Sequence, residues 1–203
     1  MPTLYVGTKH LSSWSLRPFM ALAHANATFE CKNRPTTRAE ILAVNPAGKV
    51  PVLVDGDLVV QDSLAICEYA NELYPTAKLW PEDRAARARA RAISAEMHSS
   101  FAELRKHMPM QILEEKPGVG HTEGALADAR RVQDIWREAL ARSGGPFLFG
   151  HFTIADAMFS PVTTRFTTYG VPMDPACKDY CAAVQNTAMF QRWKREAITE
   201  ART

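Results

Sequence analysis

The chain has 203 residues, 46% of them apolar and 23% charged, with a formal net charge of +2. That is enough to bury a core in one large domain or two small ones, and nothing in the charge balance asks for nucleic acid or an anionic membrane as partner. No apolar run approaches the roughly 20 residues that span a bilayer, and the opening MPTLYVGTKH lacks the features of a signal peptide, so a cytoplasmic protein is expected.

Residues 2–7 read as a short strand. Residues 15–26 read as a helix, with Leu16, Phe19, Met20 and Ala23 at helical spacing. Residues 28–32 alternate like a second strand. The polar stretch that follows holds at most one short helix, which the NPAG at 45–48 ends. VPVLVDGDLVVQ reads as two strands joined by Asp55-Gly56-Asp57, a strong hairpin signal. SLAICEYANEL then forms a helix that stops before Pro75. After a linker over 77–83 every segment is helical. Ile93, Met97, Phe101, Leu104 and Met108 recur at three- and four-residue steps, which predicts one long helix over 83–108. Further helices are expected over 122–143, 154–168, 175–186 and 187–200. An α/β unit of order β-α-β-α-β-β-α over 1–76, followed by an all-α unit over 84–203, is an α+β arrangement in two domains.

Cys31, Cys67, Cys177 and Cys181 show no CxxC pairing, which fits reduced structural thiols in a reducing compartment. The six histidines form no metal-ligand pattern, so no metal site is expected.

Three local features carry chemistry. Val50-Pro51 opens a strand, where a proline without an N–H is at home; a cis bond would turn the Val50 backbone groups outward, although only about 5–6% of X–Pro bonds are cis. Gln61-Asp62-Ser63 precedes a helix. Asp or Ser there caps it, and the same free N–H groups form an anion site beside a carboxylate able to receive an ammonium, a pairing that suits an α-amino acid head. His10 to Ser15 joins the first strand to the first helix. Ser15 fits the N-cap, yet three hydroxyls exceed what capping needs, and one is placed to donate to a thiolate.

SSWSLRPFMALAHAN and NPAGKVPVLVDGDLVVQDSLAICEYANELYP together resemble the glutathione-binding half of the soluble glutathione transferases, the zeta and beta classes most. FTIADAMFSPV continues the resemblance, with Thr153 and Asp156 similar to that family's capping box before a buried central helix. The resemblance implies a thioredoxin-like first domain that binds glutathione as co-substrate and a helical second domain that shapes the pocket of a small hydrophobic or anionic electrophile. It places the cysteinyl backbone of glutathione at Val50 and Pro51, the glycine end near Lys49, and the γ-glutamyl group at Asp62 and Ser63. Ser12 stands at the catalytic position, with Ser13 as its substitute. Trp14 replaces a cysteine of the zeta and beta relatives, which argues against a mixed disulfide on this loop. Trp14, Met97, Phe101, Arg105 and Met108 are the expected pocket residues, and His98 and Arg105, seven apart, are either a surface pair or polar groups of that pocket. A two-fold homodimer is implied. The expected function is attack of a serine-activated glutathione thiolate on an electrophile. The alternatives are glutathione-dependent cis–trans isomerisation of the maleylacetoacetate type, with Arg105 and Arg17 as its cationic leads, and a non-enzymatic glutathione-binding module.

Overall fold

A computed structural model describes residues 1–35 and 37–202; Thr36 and Thr203 lie outside the described residues. The chain runs through β1 (Thr3–Val6), α1 (Ser13–His24), β2 (Glu30–Asn33), α2 (Arg38–Val44), β3 (Val52–Asp55), β4 (Leu58–Gln61) and α3 (Ser63–Leu73). It continues with α4 (Arg84–Ser99), α5 (Ala102–His107), α6 (Glu123–Ser143), α7 (Ile154–Tyr169), α8 (Pro175–Gln185) and α9 (Ala188–Glu200). The strands lie in the order β2-β1-β3-β4, with β1 parallel to β2 and antiparallel to β3, and β3 antiparallel to β4. This is the expected α+β architecture, a thioredoxin-like sheet followed by helices. The hairpin forms where Asp-Gly predicts it: Asp55 pairs with Leu58, and Gly56 takes φ 59°, a region open to glycine without steric cost.

Two helices organise the core. Every residue of α1 from Ser15 to Leu22 is buried, and the helix packs against both α3 and α7. In α7 every residue except Thr167 is buried, the signature of a helix surrounded on all sides. Trp136 of α6 anchors the far side of α7, with ring centroids 6.0 Å from Phe159, 5.1 Å from Phe166 and 4.9 Å from Tyr180.

The start of α7 is fixed by one carboxylate. Asp156 Oδ2 accepts from the Thr153 N–H at 2.8 Å and its hydroxyl at 3.0 Å; Oδ1 accepts from the Leu148 N–H at 3.0 Å and from the Tyr180 hydroxyl at 3.2 Å. The reach back from Asp156 is the one the sequence suggests. Burial nevertheless raises the pKa of Asp156 to about 6 against the opposing pull of those hydrogen bonds.

The single helix over 83–108 is not what forms. α4 ends at Ser99 and α5 begins at Ala102, with Ser100 extended and Phe101 left-handed at φ 64°. For a residue other than glycine that conformation costs roughly 1–2 kcal/mol, and contacts from elsewhere stabilise it. Asp128 of α6 accepts from the Leu104 N–H at 3.0 Å, capping α5. Arg105 turns back so that Nε meets the Ser100 carbonyl at 2.9 Å and Nη2 meets the carbonyls of Met97 and His98. Those are carbonyls a helix end leaves unsatisfied. The apolar stripe survives the break, because Met97, Phe101, Leu104 and Met108 are all buried.

All four cysteines are free, and burial raises Cys31 to about 11 and Cys177 to about 12. No described helix is long and apolar enough to cross a membrane. Among the described residues no three His, Cys, Asp or Glu side chains group as a metal ion would need.

Asp156→Asn is expected to lower unfolding stability by more than about 2 kcal/mol, since an amide cannot serve four donors. The gap has a pH dependence of unusual sign. With its folded pKa raised to about 6, Asp156 holds a proton in the folded protein between that value and the unfolded value of about 4. Wild-type stability from this group is therefore greatest at low pH and falls as pH rises through about 6. Urea unfolding of both proteins at acidic and neutral pH should show the gap narrowing towards neutrality; a widening gap contradicts the assignment.

Candidate functional site

A groove of about 470 Å³ opens along the sheet end, lined by Trp14, Asn45, Ala47, Lys49, Val50, Pro51, Gln61, Asp62 and Ser63. One wall is the loop into β3. Asn45, itself buried, braces it by accepting from the Ala47 N–H at 3.0 Å and donating to the Lys49 carbonyl at 2.8 Å. Gly48 turns the chain at φ 64°, and the Val50–Pro51 bond is cis. Lys49 lies exposed on the rim and Val50 is half-buried.

The facing wall is the start of α3. Asp62 holds its N-cap, with Oδ1 accepting from Leu64 N–H at 2.8 Å and Ala65 N–H at 3.3 Å. Its backbone is at φ 78° and ψ 137°, costly for a side-chain-bearing residue and characteristic of ligand sites. The Ser63 hydroxyl is buried and has no hydrogen-bond partner among the described residues. A buried, unpaired hydroxyl at a helix N-terminus is a prepared anion contact.

The third wall is the loop after β1. α1 begins at Ser13 with Ser12 at the N-cap, so the expected N-cap at Ser15 is corrected. Ser15 lies inside the first turn, where its hydroxyl oxygen accepts from the Gly7 N–H at 3.0 Å and from Ser12 at 2.8 Å. Ser12 is half-buried, whereas Ser13 is only 7% exposed. The close approach needs glycine at position 7, because a Cβ there would stand 2.9 Å from Ser12 Oγ and 3.1 Å from Ser12 Cβ. The loop is buttressed from α9. The Trp193 indole donates to the Lys9 carbonyl at 3.0 Å, and Glu200 accepts from the Lys9 N–H at 2.9 Å.

Trp14, 37% exposed, is flanked by guanidinium groups, with Arg17 4.2 Å and Arg105 4.8 Å from its ring centroid. Arg17 is 0% exposed, and its Nε and Nη1 have no hydrogen-bond partner among the described residues. Burial first, then the charges of Arg105 and Arg165, holds it well below the usual arginine range. Arg165, likewise buried beside Arg105, is pushed down to about 10 and donates to the Met108 carbonyl at 3.0 Å. The cluster is positive and short of acceptors, a condition that favours an anion.

The structure thus gathers Trp14, Lys49, Val50, Pro51, Asp62 and Ser63 around one groove, with Ser12 on the adjoining loop. It places Met97, Phe101 and Met108 in the core, 1%, 5% and 0% exposed, away from the groove lining. His98 and Arg105 do not share a face of one helix as the spacing suggests; they sit on α4 and α5 and meet through the chain reversal. Sequence reasoning missed Asn45 and Arg165, and assigned Ser15 a cap rather than its bonds to Gly7 and Ser12. NPAG marked the Asn45 turn without marking its brace, and nothing local singles out Arg165 on α7.

Family models of the glutathione S-transferase N-terminal and C-terminal domains match residues 11–73 and 84–183. A probable maleylacetoacetate isomerase of Caenorhabditis elegans is 31% identical over 182 residues, covering 86% of this chain and 83% of its own. A stringent starvation protein A homolog of Coxiella burnetii is 27% identical across 85% of this chain and 79% of its own. Among solved structures, a glutathione transferase homolog from Burkholderia, with bound glutathione, superposes at a TM-score of 0.76 over 98% of both chains at 23% identity, a likeness of fold. A thioredoxin-like half bearing a groove, joined to a helical half, defines a transferase-type architecture. The chain belongs to the glutathione S-transferase family, a family of enzymes.

Gly7→Ala is expected to cost about 1–3 kcal/mol through overpacking. Because Ser12 supplies the two nearest contacts, Ser12→Gly should recover most of that loss. A double-mutant cycle by urea unfolding tests this, and strict additivity would mean that the strain lies elsewhere.

Proposed function

We propose that the protein is a glutathione transferase that activates the thiol of its co-substrate through Ser12. The observation that carries this reading is the unpaired, buried Ser63 hydroxyl beside Asp62, across the groove from Val50. The γ-glutamyl carboxylate of glutathione fits Ser63 and the free N–H groups of α3, its ammonium fits Asp62 Oδ2, its cysteinyl backbone fits Val50, and its glycine end fits Lys49. The two-domain division (1–76 and 84–203, with 77–83 between), the cytoplasmic location and a two-fold homodimer belong to the same proposal. Exposed Leu58 and Val59 on the edge strand β4 support the dimer.

Ser12 is favoured over Ser13 by exposure. Hydroxyl hydrogens rotate to suit their partners, so with a thiolate in place Ser15 can donate to Ser12 and Ser12 to sulfur. The Gly7 N–H keeps the Ser15 oxygen in position throughout. A free thiol has a pKa of about 8.5, and lowering it by two units requires about 2.7 kcal/mol of preferential stabilisation. The thiolate then attacks the electrophilic carbon. A C–S bond forms, the leaving group or π-electron pair departs, and the thiol proton goes to solvent.

Ser12→Ala should raise the pKa of bound glutathione and lower kcat/KM with a reactive electrophile by about ten- to hundredfold, or 1.4–2.7 kcal/mol, with glutathione affinity nearly intact. Ultraviolet titration of the bound thiolate is the deciding measurement. An unchanged thiolate pKa in Ser12→Ala removes Ser12 from the role. A wild-type protein that binds glutathione without lowering its thiol pKa is a binding module instead.

The Arg17–Arg105–Arg165 cluster favours a second reading, glutathione-dependent isomerisation of an unsaturated dicarboxylate. At saturating glutathione, Arg105→Met should then lower kcat/KM for cis-alkene diacids by about tenfold or more beyond its effect on a neutral electrophile, as losing one charge-assisted contact implies. Equal losses on both substrates argue against it.

A further inference from the structure

We propose that His98, reaching across from the helical half, is a positioning residue for glutathione that holds Asp62 ready for the γ-glutamyl ammonium. The inference rests on the reading of Asp62 and Ser63 as the γ-glutamyl site. Asp62 Oδ1 is already engaged by the N–H groups of Leu64 and Ala65, so Oδ2 is left for a ligand. His98 Nε2 stands 3.2 Å from that Oδ2, with the Asp62 side chain 46% and the His98 side chain 29% exposed. A carboxylate oxygen has more than one acceptor site, so Oδ2 can receive an ammonium while the imidazole occupies its other side.

Among the described residues no other hydrogen bond competes for the ring. Its Nδ1 is buried without a hydrogen-bond partner among the described residues. The Trp14 indole meets it edge-on, with ring centroids 5.3 Å apart. Its backbone is fixed as well, since Arg105 Nη2 reaches the His98 carbonyl at 3.4 Å and also bonds the Met97 carbonyl. That contact exists because the chain reverses at Phe101. The interruption between α4 and α5 thereby sets the height at which His98 meets Asp62. An otherwise costly left-handed Asp62 backbone is held from both ends, by α3 at Oδ1 and by the imidazole at Oδ2. A packing role alone would account for the contact with Trp14 and leave Nε2 beside Oδ2 without consequence.

The test compares two ligands on three proteins by calorimetry. The ligands are glutathione and glutaryl-cysteinylglycine, which lacks only the amine. His98→Phe keeps a ring against Trp14 and removes the donor; His98→Gln keeps a donor and removes the ring. Wild type should prefer glutathione. His98→Phe should weaken glutathione about tenfold and leave the desamino ligand within about twofold, and His98→Gln should restore most of the glutathione affinity. Equal weakening of both ligands in His98→Phe, or no weakening, overturns the positioning role. If the wild type does not distinguish the two ligands, the γ-glutamyl reading itself fails, and that result needs no variant. Thermal unfolding of each protein confirms that the comparison is between folded chains; should His98→Phe not fold, His98→Leu, which also removes the donor, takes its place and is read by the same outcomes.

Discussion

A single buried carboxylate sets the frame. Asp156 receives four hydrogen bonds from three separate segments, the Leu148 turn, the Thr153 N-cap and Tyr180 on α8. These lock the first turn of α7, and α7 is the helix on which α1 packs. Because α1 begins at Ser13, the placement of the Ser12 hydroxyl beside the groove derives from a carboxylate in the other half of the molecule. Close packing transmits such placement because buried helices have few alternative seatings.

Charge is organised in a complementary way. Asp62 is the acidic group of the groove, while Arg17, Arg105 and Arg165 collect behind and beside Trp14. Arg105 and Arg165 bond backbone carbonyls, so neither is neutralised by those contacts. Trp14 screens Arg17 from water with its ring face, an interaction that favours a guanidinium when water is excluded. With Arg17 and Arg105 both over its ring, the indole makes this wall of the groove a cation-binding surface.

Much of this was legible in the residues. The hairpin at Asp55-Gly56, the reach of Asp156 and the helix starting at Ser63 all have local signatures, and local signatures are what a sequence exposes; the cis bond at Val50-Pro51 follows only from the resemblance of NPAGKVP to its family, since an X–Pro dipeptide alone is usually trans. The departures share a cause. The break at Phe101 follows an unbroken apolar period and depends on Asp128, 24 positions from the N–H it caps, and on Arg105 folding back. Ser15 looked like a cap because its spacing to the helix is right, and the Gly7 N–H that redirects it comes from a strand end. Arg165 joins the cationic cluster from a helix whose other residues read simply as core. In each case a contact between distant segments overrides a sound local preference.

The buttress from α9 has a consequence for the order in which the molecule is made. Trp193 holds the Lys9 carbonyl from 184 positions downstream. At synthesis rates of roughly 5–20 residues per second, the strands and α3 leave the ribosome well before that indole exists. The sheet can pair early, since its strands are close in sequence, but the turn carrying Ser12 lacks its rear support until α9 docks. Assembly of the loop between β1 and α1 is therefore a late event of biogenesis, and a nascent chain whose groove walls at β3 and α3 are complete does not yet hold Ser12 in place.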